Sequence, residues 1–186
     1  AANDHMRGMS FSDDGRTVAI GADGNSGGYV KVFTQSAAGE SWSQVGSTIT
    51  GSSGDRIGMS PSLSGDGNTL AVSAYGHNSG QGQARIYGFD SSTSSWDLVD
   101  TFDGLGTGSN QGGVGFSSVK LTPDATSLLL SNPGTADKIQ TFDLGWAFDS
   151  ITNTYRKAGT YGFASIDAST SQITYTLDNS RSATQA

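Results

Sequence analysis

Ser64-Gly65-Asp66-Gly67-Asn68-Thr69-Leu70-Ala71-Val72-Ser73-Ala74 runs a turn straight into a short apolar segment. Gly and Asp accept the dihedral angles of a tight turn, and Leu70-Ala71-Val72, bounded by turn residues, has the length of a strand. The chain carries the same text earlier, as Ser12-Asp13-Asp14-Gly15-Arg16-Thr17-Val18-Ala19-Ile20-Gly21-Ala22. It carries it again, more loosely, as Thr122-Pro123-Asp124-Ala125-Thr126-Ser127-Leu128-Leu129-Leu130-Ser131-Asn132. Asp14, Asp66 and Asp124 stand 52 and then 58 positions apart. A period of that size marks a repeat architecture, such as propeller blades or a stacked array.

Around each turn the landmarks recur. A Gly beside small or apolar residues comes first, in Arg7-Gly8-Met9-Ser10, Ile57-Gly58-Met59-Ser60 and Val114-Gly115-Phe116-Ser117-Ser118. One apolar residue precedes the turn: Phe11, Leu63 or Leu121. The run after it (Val18–Ile20, Leu70–Val72, Leu128–Leu130) is continuous, which predicts a strand buried on both faces. A further strand ends in an aromatic, and a polar loop then leads to another aromatic. These are Tyr29–Phe33 with Trp42, Gln83–Tyr87 with Trp96, and Ile139–Phe142 with Tyr155. Alternation such as Val30 and Val32 about Lys31 predicts one wet face.

Four short strands per repeat is the content of a propeller blade, so the expected fold is all-β, with three blade-like repeats of antiparallel strands. They span 5–54, 55–108 and 109–158. The remainder, 159–186, holds two alternating segments, Tyr161–Ile166 and Ile173–Leu177, that predict a hairpin. No segment has a helical period.

The Ser-x-Asp-Gly turn, the strand after it and the Asn-Ser-Gly before an x-Val-x-Val-Phe strand resemble the FG-GAP repeats. Those repeats form the blades of integrin α-chain propellers and of many bacterial surface proteins. The matching residues are Gly8, Gly21-Ala22, Asn25-Ser26-Gly27 and Val30–Phe33, then Gly58, Ser73-Ala74, Asn78-Ser79-Gly80 and Ala84–Tyr87. The third repeat departs, with Ser131-Asn132-Pro133-Gly134. The family's calcium loop is an Asp-x-Asp-x-Asp-Gly cluster. Ser12–Gly15 and Ser64–Gly67 keep too few carboxylates for an ion that wants six to eight oxygen ligands, so these read as hairpin turns and calcium is disfavoured. The tail, through Ile166-Asp167-Ala168 and Ile173–Ser180, looks like the end of a VCBS repeat, a sandwich module of bacterial adhesins. It can equally be read as the start of a fourth blade, with Gly162–Ile166 matching Gly115–Val119. Under either reading the chain looks like part of a longer one.

Composition limits the function classes. A net charge of −7, with ten Lys and Arg scattered and only Arg156-Lys157 adjacent, offers no basic patch for nucleic acid or an anionic membrane. No apolar run is long enough for membrane insertion. The absence of Cys removes disulfides, thiolate metal sites and thiol catalysis. Sixteen Asp against the single Glu40, with 27 Gly, suit turns rather than helices.

No reactive constellation emerges. His5 and His77 lack metal-site partners, and His77 reads as a surface residue in a polar loop. Gly24-Asn25-Ser26-Gly27 is a loop, and Gly104-Leu105-Gly106-Thr107-Gly108 has neither Lys nor a following helix, which disfavours a phosphate cradle. The sequence therefore implies a non-enzyme needing no cofactor. The expectation is a bacterial cell-surface or secreted module for adhesion or assembly, partnered by other protein chains, either copies of itself or a parent protein. A glycan-binding, lectin-like propeller module is the alternative, and a fragment of a polysaccharide-degrading enzyme is the third. Trp42, Trp96 and Tyr155 read as aromatics packing one blade on the next or as sugar platforms. Trp146, outside the repeat pattern, is the expected exposed contact.

Overall fold

A computed structural model describes residues 5–24, 27–104, 118–132, 138–144, 147–149, 154–159, 162–167, 170 and 173–177. The fold is all-β. The first sheet is a meander of β1 (Met6–Phe11), β2 (Thr17–Ala22), β3 (Tyr29–Thr34) and β4 (Ser43–Thr50), ordered β1-β2-β3-β4. The second repeats it with β5 (Ser62–Leu63), β6 (Thr69–Ala74), β7 (Gln83–Asp90) and β8 (Ser95–Asp103), and between β6 and β7 lies one short helical turn, α1 (His77–Gly80). The third pairs β9 (Ser118–Leu121), β10 (Ser127–Asn132) and β11 (Lys138–Asp143) in the order β11-β10-β9.

Two expectations need correction. Gly58 is not the counterpart of Gly8: the register Phe11↔Val18 corresponds to Leu63↔Leu70, which puts Ser60 at the position of Gly8. The second sheet consequently starts later, after Pro61, with β5 only two residues long. Tyr155 belongs to β13 (Thr154–Gly159), which pairs with β12 (Ala147–Asp149) and β14 (Gly162–Asp167) instead of with β11. The predicted tail hairpin is β14 and β15 (Ile173–Leu177), in register from Gly162↔Leu177 to Ile166↔Ile173. Residues 147–159 therefore complete a fourth sheet, β12-β13-β14-β15, with that hairpin.

The predicted turns are built from side chains. Ser12 Oγ accepts the N–H of Thr17 at 2.9 Å and donates to Asp14 Oδ1 at 2.6 Å, which also accepts the N–H of Arg16. Ser64 repeats this with Thr69, Asp66 and Asn68, and Thr122 with Ser127, Asp124 and Thr126. Gly15 and Gly67 take the left-handed φ the turn needs, and Ala125 takes it in the third.

The core lies between sheets. Ala19, Val30, Val32 and Ile49 of the first sheet meet Leu63, Leu70, Val72, Tyr87 and Trp96 of the second. Ala71, Ala84 and Ile86 on the second sheet's other face meet Val119, Leu121, Leu128 and Leu130 of the third. The first and second sheets thus each turn a face of smaller residues toward the bulky face of the sheet that follows. Hydrogen bonds fix the stacking. Leu63 N–H donates to the buried Ser10 Oγ, and Leu121 N–H to the buried Ser62 Oγ, both at 3.0 Å. The turns also link, Asp13 N–H to Gly65 C=O and Gly65 N–H to Pro123 C=O.

Candidate functional site

Register matching carries the bulky face back to the first sheet. Ile20 pairs with Met9, Val18 with Phe11 and with Phe33, as Leu70 pairs with Leu63 and with Tyr87. Met9, Phe11, Val18, Ile20 and Phe33 therefore share the face that in the second and third sheets is covered by a preceding sheet. Here it is only partly covered: Met9 is 64% and Phe11 51% exposed, Ile20 and Phe33 are half-buried, and Val18 is buried. Trp42 adjoins it, 41% exposed, with its ring edge-on to Phe11 at 6.3 Å. Exposed apolar patches of this kind mark interaction sites.

Trp96 occupies the covered version of the same position. It is buried against Phe89 at a centroid distance of 5.2 Å, and its Nε1 donates to Val45 C=O at 3.1 Å. It fits over Gly46, whose φ is +70°; a Cβ there would lie 2.6 Å from the indole. Packing fully engages Trp96, so of the two repeat tryptophans only Trp42 meets solvent. The side chain of Tyr155 and the whole of Trp146 lie outside the described residues.

The sequence reading missed a charged joint. Asp55, in the connection from the first sheet to the second, is 4% exposed. Its Oδ2 accepts from Arg85 Nη2 at 2.7 Å and from the N–H of Ser52 at 3.0 Å, and its Oδ1 lies 2.8 Å from His77 Nδ1. Burial pushes the Asp55 carboxyl up, but the bonds from His77, Arg85 and Ser52 outweigh it and hold the group below the usual carboxylate range. Arg85 is steadied by Gln83 Oε1 at 2.7 Å. Arg56, Asn78 and Ser79, all in left-handed backbone, surround the joint. Such strain persists only where the surroundings impose it. His77 is one-third exposed, its Nδ1 held by the carboxylate. Alternation gave no sign of it, because Arg85 stands at the counterpart of Lys31 and reads as wet-face; only the packing that leaves its side chain 12% exposed makes it need a buried carboxylate.

Among the described residues no group of three His, Cys, Asp or Glu side chains is placed to hold a metal ion. An open hollow of about 620 Å³ is lined by Thr34, Ser36, Gly39, Glu40, Ser41 and Ser43, the hairpin that leads into Trp42.

Consecutive antiparallel meanders of three or four strands, the first three packed face to face, define a β-propeller-type fold. No protein-family model matches the chain, and no curated protein matches it in sequence. Among solved structures it overlaps hydrazine synthase of Kuenenia stuttgartiensis with a TM-score of 0.50 at 13% identity, over 95% of this chain and 51% of that one. TolB from Acinetobacter baumannii (TM-score 0.46, 17% identity, 94% and 44%) and the Swd1 β-propeller domain of Myceliophteria thermophila (0.44, 12%, 93% and 55%) overlap less closely. At these identities the likeness concerns the fold alone. The chain spans about half the length of the structures it matches.

Proposed function

We propose that the protein is a non-enzymatic assembly module of a bacterial surface or secreted protein, acting by association with other protein chains. The observation that carries this reading is the first sheet's bulky face, partly open where the corresponding faces of the second and third sheets are covered. The FG-GAP-like turns and VCBS-like tail support the surface setting by resemblance. Light scattering on the native particle, with and without a calcium chelator, tests the reading. The expected mass is a multiple of one chain, unchanged by chelation. A particle of one chain at every concentration would count against assembly.

A second reading draws on Trp42. An exposed indole beside a hydroxyl-lined hollow with one carboxylate, Glu40, suits a glycan. Sugar-dependent quenching of tryptophan fluorescence, lost in Trp42→Phe, would favour it; a flat titration over a glycan panel would remove it.

A further inference from the structure

The open face of the first sheet has a matching open face at the other end of the stack. Between the first and second and the second and third sheets, the face of smaller residues receives the bulky face of the next. That small face is Ala19, Val30 and Val32 in the first sheet and Ala71, Ala84 and Ile86 in the second. The pairings Leu129↔Lys120, Leu129↔Thr141 and Ser131↔Ile139 place Leu129, Ile139 and Thr141 at those positions in the third. There the face is uncovered, with Leu129 38% and Ile139 76% exposed. The three sheets therefore end in two partly open apolar faces: Met9, Phe11 and Trp42 at one end, and at the other Leu129 and Ile139, which stand where the second sheet has Ala71 and Ala84.

We infer that a second copy of this chain docks on the first sheet, setting its third-sheet face of Leu129 and Ile139 against Met9, Phe11 and Trp42. The inference rests on the assembly reading above and names its surface and partner. The occupant is a copy of the chain because the contact continues an interface the chain already makes twice, and both halves of it stand open on one molecule. Such a head-to-tail contact is heterologous, so it generates a ring if the rotation closes and a filament if it does not.

Two substitutions suit this contact to joining separate molecules. Lys120 stands where Ser10 and Ser62 accept the next sheet's N–H, and Pro123 stands where Asp13 and Gly65 donate theirs. A lysine cannot accept and a proline cannot donate, so both stacking bonds of the earlier sheets are absent here. The copies are then held by apolar contact with fewer hydrogen bonds across it, which makes the association weaker than the internal stacking and reversible.

Sedimentation equilibrium on three proteins tests it. Met9→Lys and Ile139→Lys each place a charge at a position already in water within one chain, so each leaves the chain's own core intact. Should either disturb the circular dichroism spectrum, Met9→Ala or Ile139→Ala replaces it. Wild type is expected as a multiple of the chain, and each variant alone as a single chain. An equimolar mixture of the two variants is expected to recover a two-chain particle, since Met9→Lys retains the third-sheet face and Ile139→Lys the first-sheet face. A mixture that stays single-chain would overturn the inference. An oligomer surviving both substitutions would overturn this interface and leave the assembly reading standing, whereas a wild type that is always one chain would remove both.

Discussion

Thr69 gives its N–H to a serine hydroxyl, and the same hydroxyl donates to the Asp66 carboxylate. The turn is therefore a side-chain device, and it recurs because each repeat must reverse direction in one tight step. Ser64 is 1% and Ser12 5% exposed, whereas Thr122 is only partly buried. Ser64→Ala leaves the Thr69 N–H buried without a partner, a loss of about 1–3 kcal/mol. Denaturant unfolding should rank the costs as Ser64→Ala, then Ser12→Ala, then the Thr122 to Ala change; an unmoved midpoint for Ser64→Ala would refute the device. Hydrogen bonds from the Ser12 hydroxyl and the Arg16 N–H hold the Asp14 carboxyl below the usual range, and those from Thr122 and Thr126 do so for Asp124. Carboxylates engaged in this way are poor starting points for a calcium loop, so thermal unfolding should run the same in calcium and in chelator. A rise in melting temperature of several degrees with calcium would reverse that reading. The Ser/Thr-x-Asp-x-x pattern was legible in the sequence because every partner lies within five residues. Nothing local predicted that Asp13 would fill the space a side chain at position 65 would need, with its Oδ2 only 2.3 Å from the Cβ a substituted residue would carry.

At the scale of elements, legibility follows sequence separation. Strands β2, β6 and β10 showed as apolar runs, because continuous hydrophobicity between turn residues has few other solutions. The run Leu128–Leu130 did not become a strand buried on both faces, since Leu129 remains 38% exposed. The fourth sheet was misdivided: no local signal distinguishes a strand that ends one meander from one that begins the next. The Asp55 joint was invisible for a related reason, its partners standing 22 and 30 residues away. The joint ties the connection after the first sheet to the second sheet's β7, and its charge balance predicts acid sensitivity. Because the folded Asp55 carboxyl titrates below its ordinary value, its contribution is present in full above about pH 4 and is lost as the pH falls through the depressed folded value. Asp55→Asn should cost about 2–3 kcal/mol near neutral pH, less than a fully buried pair because His77 is one-third exposed. Measured against pH, the variant's stability should fall less steeply in acid than that of wild type. Parallel curves would show that Asp55 does not carry the linkage.

In the molecule as a whole, stability should be greatest in the middle of the stack. The second sheet is covered on both faces, by the first sheet's Val30 and Val32 and by the third sheet's Leu121, Leu128 and Leu130. The first and third sheets each leave one face open. In stacked repeats, stability is the sum of each unit and its interfaces with neighbours, so among these three sheets opening the second breaks two of their interfaces while opening the first or third breaks one. Amide hydrogen exchange should therefore be slowest in β6 and β7 and faster in β2, β3, β10 and β11. Substitutions give the same contrast in free energy. Leu70 has no exposed surface, and Leu70→Ala should cost about 3–5 kcal/mol. Leu129 lies on the open face, and Leu129→Ala should cost less than about 1 kcal/mol in a single chain. In the head-to-tail assembly that second value should rise with protein concentration, because association then covers Leu129, while the cost at Leu70 should not change with concentration. Equal costs at the two leucines, or exchange slowest in an end sheet, would mean that something other than stacking on both sides sets the order of stability.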